Sequence, residues 1–567
     1  MFRENKFIQQ SLFNRFESLP NYLKEKIQKS WAQTFRDKIF PLINEKRFSV
    51  LYSDKASRPN SPVNVIISLL IIKEMYGFSD DDLVGFLYFD FICQYALYLE
   101  NQDVPPISEN TFTNFRNRVY AYEKETGIDL IKEEIEYLSK KFTEYLDIDG
   151  KKLRMDSLMV SSSCKKMSRL ELVYTVIYKF IKELGKLDEV LVPEEYKVYL
   201  NQNHRKEFIY KVKNNEIDDK LTILLKQAYE LFQYGIKNEK INTLDSFNIL
   251  ARLVTEQLNF KEDNTIEVKS GKDITPESLQ SASDPDATFR KKYNNNIGYV
   301  ANIVESFDNQ DEDYTKSIIT SYDYRQNIHS DIDFGREFID ELISENQDNQ
   351  EEIEMIQDGS YYDQNLVDKA SDNNIKMYFT NLVGKKPNQN KLSCTEFKID
   401  DKENIIIECP NGQTPIRSNF TKGVYSAHFD TNKCKECPLK DKCISKIQKK
   451  SNVVRFSNKT FKAEQVRKYM STKEYKIKTS SRAGIEGIPS ALRRSYNVDH
   501  MPVRGFLRSK MYFGFKVAAL NVKRLLKGLN YMKNNTNTTT ENNKNTGFIL
   551  KLEKLFKISK LKLIMTT

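Results

Sequence analysis

Apolar residues along the first 145 positions recur at helical spacing and predict a run of helices. PVNVIISLLIIKEMY, residues 62–76, is a largely apolar run of helical length and follows Ser61, which predicts a helix with a serine cap. Past Gly77, FSDDDLVGFLYFDFICQYAL predicts further helix from a Ser79 cap and an acidic first turn. ISENTFTNFRNRVY, capped by Ser108 or Asn110, predicts a helix that carries Arg116 and Arg118. Short helices ending in a basic one fit a helix-turn-helix module, with both arginines directed at DNA. They fit a plain helical bundle as well.

The period then changes. LRMDSLMVSS, residues 153–162, is a short strand-like run. From Met167 to Phe260 the spacing is helical again, most plainly in SRLELVYTVIYKFIKEL. NIGYVANIVESF, YTKSIITSYDY and IEMIQDGSYYD predict strands, and a polar helix over 364–373 leads into another strand at IKMYFTNLVG. Two antiparallel-looking strands followed by strand–helix–strand units imply a mixed sheet flanked by helices, an α/β class. Residues 385–475 are rich in Lys, Asn and Cys, and a cation-rich helical pattern follows them. NNTNTTTENNKNTG is low-complexity, and FILKLEKLFKISKLKLIM after it is a basic amphipathic tail.

Charge sharpens this picture. The 567 residues hold 88 Lys and Arg against 79 Asp and Glu, a net +9 that suits a polyanionic partner. The excess is concentrated between Lys433 and Lys533, whereas Asp308–Asp363 is acidic. One face that meets phosphates and another that does not is the expectation. No apolar run approaches the roughly 20 residues of a membrane span, so no membrane partner is expected. The opening MFRENKFIQQ lacks the apolar core of a signal peptide, and seven Cys, an odd number, suit a reducing cytoplasm.

Three acids stand in unusual settings. Asp156 lies inside a strand-like run, where propensity and desolvation both disfavour a carboxylate. Asp358 follows IEMIQ and precedes Gly359, where a strand ends and a loop turns. Glu486, in RAGIEG, is expected near the start of a helix among cations. Acids at strand ends and on a helix facing a sheet can converge, and hard oxygen ligands suit Mg²⁺. Each acid singly also reads as a cap or a salt-bridge partner.

Together the motifs resemble the insertion-sequence transposases of the DDE superfamily. RPNSPVNVIISLLIIKEMYGFSDDDL and ISENTFTNFRNRV are similar to that family's N-terminal domain, LRMDSLMVSS to its first acidic motif, and MIQDGSYYD to its second. SDPDATFRKK with GYVANIV is similar to the approach to its central strands. One branch carries Tyr-x2-Arg-x3-Glu-x6-Lys, read here as Thr479, Arg482, Glu486 and Arg493. Arginine and glutamate fit, another cation replaces the lysine, and threonine replaces the tyrosine, which puts a stacking role at a displaced base in doubt. Arg482 and Arg493 are placed by helical spacing near the face of Glu486 and are expected on phosphates.

The resemblance implies an RNase H-like mixed-sheet core, assembled from residues 146–165, 285–384 and 478–532. Around it would lie an N-terminal helical DNA-binding domain (1–145), a helical insertion (166–284), a cysteine-rich insertion (385–477) and a linker with the basic tail (533–567). It implies two Mg²⁺ or Mn²⁺ ions per active site, Asp156 holding both and Asp358 and Glu486 one each. The activity implied is cleavage and transfer of strands at terminal inverted repeats. The partners implied are double-stranded transposon ends and target DNA, with a homodimer or larger assembly joining two ends. A nuclease or a non-transposing DNA-binding regulator derived from such an enzyme is the alternative.

Cys434, Cys437 and Cys443 form C-x2-C-x5-C, and Cys409 stands upstream in ECPNG. Four soft thiolates of this kind suit a closed, structural Zn²⁺ site in a small zinc-ribbon-like module. Cys394 or His428 is a substitute for one ligand, since a second complete C-x2-C is missing. Related transposases carry a similar cysteine cluster.

Overall fold

A computed structural model describes residues 1–5, 15–53, 55, 59–101, 107–262, 265–291, 295–309, 315–345, 351–382, 388, 390–400, 402–448 and 450–534. The basic tail expected at 547–567 lies outside these residues. The described residues form two compact units of a mixed α/β fold: those of Met1–Asp149, Leu158–Ile328 and from Pro489 onward make the first, and those of Gly150–Ser157 with His329–Ile488 the second.

In the first unit the Val63–Tyr76 helix is buried at every position except Tyr76. A helix with apolar residues on every side belongs inside a bundle, and its Lys73 and Glu74 are buried as paired charges. Its N-cap is Pro62, with no side-chain bond, so the expected Ser61 cap is not used. It ends at Gly77, whose φ of 73° is the left-handed stop that glycine adopts without strain. Ser79 and Asp82 then close a capping box on Asp80–Phe89, and Ser108 caps Glu109–Thr126. A long helix over 506–534 follows the last loop.

Lys516 on that helix donates to Glu74 at 2.5 Å, with both side chains less than a tenth exposed. Breaking a buried pair from one side strands the other charge, at a cost of about 3–5 kcal/mol. Lys516→Ala is therefore expected to lower the stability of this unit by that amount in urea unfolding. Glu74→Leu combined with Lys516→Leu should cost less than Lys516→Ala alone, and a larger loss in the double variant would contradict this.

The helical stretch expected from Met167 onward packs Arg169–Leu187 against Ile217–Ile236 and Asp245–Gln257 around Phe180, Leu224, Leu225 and Leu253. Gly235 is required at one crossing, since a Cβ there would fall 2.3 Å from the Phe247 ring. Three strands follow expected runs, β1 (Lys152–Ser161), β3 (Asn295–Asn309) and β4 (Thr315–Gln326), and a short β2 (Thr288–Lys291) is one the pattern did not predict. β3 pairs antiparallel with β2 at its start and with β4 from Tyr299↔Gln326 onward, and it hydrogen-bonds to β1.

β1 enters both units. In the second, Lys152–Arg154 pair in parallel with β5 (Ile353–Gln357), which pairs in parallel with β6 (Ile375–Phe379). The Gln364–Asp372 helix joins β5 to β6, the strand–helix–strand unit the sequence predicts. Parallel strands packed on both faces carry buried residues in unbroken runs, as Met355, Ile356 and Gln357 do here. Beyond them, Lys398–Asp400 pairs with Ile405–Glu408, and Arg417–Thr421, Val424–Phe429, Asn452–Ser457 and Lys446–Ile447 form a small antiparallel sheet.

The Lys473–Ser480 helix docks on the strand ends. Lys478 donates to Glu354 at 2.5 Å and to the Tyr378 hydroxyl at 3.0 Å. The Tyr475 hydroxyl takes the Phe379 N–H at 2.7 Å. Among the described residues, no helix is long and apolar enough to cross a membrane.

Candidate active site

Asp156 sits on β1 with its side chain about one-fifth exposed. Its Oδ1 accepts the Ser157 N–H at 3.0 Å and stands 3.3 Å from Nη2 of Arg482. Burial pushes the carboxyl above its ordinary range, and the negative charges of Asp358 and Asp331 push the same way. The Arg482 charge and the Ser157 N–H oppose the rise without cancelling it. Asp156 is thus harder to ionise in the fold than in the unfolded chain, so its charge at neutral pH works against folding. Asp156→Asn is expected to raise the melting temperature at pH 7. That gain should shrink as pH falls through the raised carboxyl range and vanish below the ordinary one. A variant that melts lower than wild type at pH 7 would contradict this.

Asp358 ends β5 and caps the Gly359–Tyr361 turn, accepting from the Ser360 N–H at 2.5 Å and from the Ser360 hydroxyl. Gly359 is needed there, because a Cβ would fall 2.3 Å from the Asn381 carbonyl oxygen. The carboxylate is therefore fixed by the backbone of its own turn.

A further acid joins these two. Asp331, 5% exposed, begins the Asp331–Glu345 helix and accepts the Ser157 hydroxyl at 2.9 Å. Ser157 so holds Asp156 by its N–H and Asp331 by its side chain. The buried Tyr361 also bonds to Ser157, and burial raises its phenol well above the usual value. Sequence reasoning missed Asp331 because an aspartate before a helix reads as a cap. The available signal was Ser330, which takes the capping role by accepting the Asp333 N–H at 3.1 Å and leaves Asp331 to turn inward.

Glu486 does not start a continuous helix shared with Arg482. Ser481–Gly484 is a tight 3-10 turn, and an α-helix begins only at Gly487. Glycines at 484 and 487 weaken helix on either side of the acid. Glu486 stands at the junction, about two-thirds exposed, and accepts from Nη1 of Arg482 at 3.0 Å. One guanidinium thereby links Glu486 to Asp156. Arg482 is itself 12% exposed, and its Nε is buried without a hydrogen-bond partner. Thr479, in the register of the missing tyrosine, bonds back to the Tyr475 carbonyl at 3.0 Å.

The other expected arginines lie in the first unit. Arg493 pairs with Asp499 at 3.1 Å and donates to the Met159 carbonyl at 2.9 Å. Arg116 is 11% exposed and makes a forked pair with Asp80, which Lys73 also meets at 2.6 Å. Burial raises the Asp80 carboxyl, but Arg116 and Lys73 outweigh it and hold the group below its ordinary range. The Arg116 guanidinium is committed inside the protein rather than offered to a partner. Arg118 instead lies 4.9 Å over the Tyr52 ring and lines an open cleft of about 1110 Å³ with Asn60, Asn110 and Asn114.

In the cysteine module, burial raises the Cys434 thiol first, and Cys443, Cys409 and Cys437 raise it further. The other three expected thiols therefore all lie near enough to bear on Cys434. Cys409 and Gly412 form a tight turn, Gly412 N–H to Cys409 carbonyl at 2.8 Å, and the Cys443 sulfur accepts the Ser445 N–H at 3.5 Å. Of the substitutes, the Cys394 thiol is raised by burial and by its side-chain hydrogen bond to Glu464, and His428 Nδ1 bonds to Ser451 at 2.9 Å. Among the described residues, no three His, Cys, Asp or Glu side chains form a group ready to hold a metal ion. The acids around Asp156 would offer a hard divalent ion oxygen donors, in a space that the Arg482 guanidinium shares, and the thiols around Cys434 would offer sulfur to a soft one.

Two family models match the chain. One, described as a transposase DDE domain, covers residues 408–526 and includes Glu486 and all four clustered cysteines. The other, described as a transposase domain, covers residues 23–118 and includes Arg116 and Arg118. Asp156, Asp331 and Asp358 lie outside both. No curated protein and no solved structure matches significantly.

Proposed function

Since the chain is an insertion-sequence transposase of the DDE type, we propose that Asp156, Asp358 and Glu486 are its cutting and joining residues on transposon ends. The observation that carries this is the meeting of all three in one unit: Asp156 feels the charge of Asp358 and shares Arg482 with Glu486. The pairing of β3 with β4 and β1, of β1 with β5 and of β5 with β6 supports an RNase H-like core. In that reading Asp156 would hold two Mg²⁺ or Mn²⁺ ions, with Asp358 and Glu486 each holding one. Such an ion pair supplies activation of a water or 3′-hydroxyl and stabilisation of the leaving oxygen.

The residues themselves do the placing. The Ser360 N–H and hydroxyl fix the Asp358 carboxylate, and the Ser157 N–H fixes that of Asp156. Arg482 holds Glu486 toward Asp156, and its planar fork is suited to a phosphate oxygen. Arg118, at an open cleft, is the first-unit arginine placed to meet double-stranded ends, with Arg493 a second phosphate contact. The four thiols would enclose one structural Zn²⁺ and make the module a zinc-ribbon-like support. Joining two ends calls for a homodimer or larger complex.

The test is an in-vitro reaction of the purified chain with Mg²⁺ and DNA carrying the terminal inverted repeats that flank its gene. Cleaved ends and joined products are expected. Sequence-specific binding without any cleavage would favour the regulator instead.

A further inference from the structure

We propose that Arg154 and Gly484 are positioning residues that clamp the Glu486 turn onto the strand bearing Asp156. The inference rests on the proposed role of the three acids and adds the device that holds two of them in register.

Arg154 lies on β1, opposite Ile356 of β5, and is 3% exposed. Burying a guanidinium is costly unless its donors are used, so a residue needed only for packing would be apolar at this place. Its Nη1 donates to the Ser481 carbonyl at 2.5 Å. Its flat head packs against Gly484: a Cβ there would lie 2.1 Å from Nη1 and 2.5 Å from both Cζ and Nη2. A methyl at 484 would push the guanidinium off the turn.

Strand geometry explains the consequence. Side chains two apart on a strand point to the same face, so Arg154 and Asp156 face the same way. The Ser481–Gly484 turn is held on that face at two places. Arg154 grips its first carbonyl and its glycine, while Asp156 meets Arg482 in its middle. Glu486 leaves the turn two residues after Gly484, so the clamp sets where its carboxylate starts. Both contacts join residues more than 300 positions apart, and neither Arg154 nor Gly484 is one of the three acids.

The test uses the full chain and two readouts, Mn²⁺ binding followed by electron paramagnetic resonance and Mg²⁺-dependent strand cleavage. Partners that orient metal ligands typically matter 10- to 100-fold for affinity or activity. Gly484→Ala and Arg154→Lys are each expected to weaken Mn²⁺ binding and slow cleavage by about that factor. The melting temperature and DNA binding should stay near wild type. Arg154→Ala with Gly484→Ala should be no worse than Arg154→Ala alone, because the added methyl then has nothing to strike. Wild-type Mn²⁺ affinity and cleavage in both Gly484→Ala and Arg154→Lys would overturn the clamp, as would strictly additive losses in the double variant. Asp156→Ala separates the two claims. If it abolishes cleavage while the clamp variants behave as wild type, only the clamp falls; if it leaves cleavage and Mn²⁺ binding intact, the role of the acids falls and the clamp with it.

Discussion

Alanine at Asp156, Asp358 or Glu486 is expected to slow strand cleavage at least about a thousandfold, equivalent to roughly 4 kcal/mol of transition-state stabilisation. Each acid would be a ligand whose loss opens the ion pair, and groups that act as a unit are not additive. The triple variant should therefore be little worse than any single one. DNA binding should persist or tighten, since each substitution removes a negative charge near phosphates. Cleavage and gel-shift assays on the same preparations read both effects. A single-alanine variant that cuts near the wild-type rate would remove that residue from the reaction.

The second large effect concerns the cysteines. The module around Tyr425 packs on eight buried side chains, among them Phe397, Ile406, Phe429 and Phe456. So small a core rarely holds by itself. A structural zinc contributes about 10–16 kcal/mol to the folding of small zinc-finger peptides at neutral pH. Cys434→Ser, or treatment with a strong chelator, is expected to release about one zinc per chain. It should also expose the stretch 390–457 to protease, while the first unit continues to unfold cooperatively. Purified protein without zinc, or a Cys434→Ser variant as protease-resistant as wild type, would contradict the site.

Much of the fold was legible because it rests on local pattern. Apolar runs gave β1, β3, β4, β5 and β6, and the predominantly apolar Val63–Tyr76 helix declared its burial. Asp156 stood out as a carboxylate inside a strand, and Asp358 as one before a glycine at a strand end. Glu486 is different. Its cationic neighbours and an expected helix start marked it only weakly beside the other two, and helical spacing misjudged the 3-10 turn that carries Arg482.

What escaped depends on partners far along the chain. Arg116 has the spacing of an exposed helix face, yet Asp80, thirty-six residues earlier, captures it. Asp331 looks like a cap until Ser330 is seen in that role. Arg154 reads as an isolated cation in a strand until Ser481, 327 residues later, supplies its acceptor. Periodicity reports which face of an element is covered, not which polar group covers it.

The central claim is that Asp156, Asp358 and Glu486 come together around divalent ions. Replacing those ions with Fe²⁺ and generating hydroxyl radicals at the bound metal maps the backbone that surrounds it. The expected result is three cuts in the intact chain, in β1 beside Asp156, in the turn after Asp358 and in the turn before Gly487, all suppressed by excess Mg²⁺ and lost in Asp156→Ala. Cuts confined to one of these segments, or falling elsewhere with the same Mg²⁺ sensitivity, would contradict it.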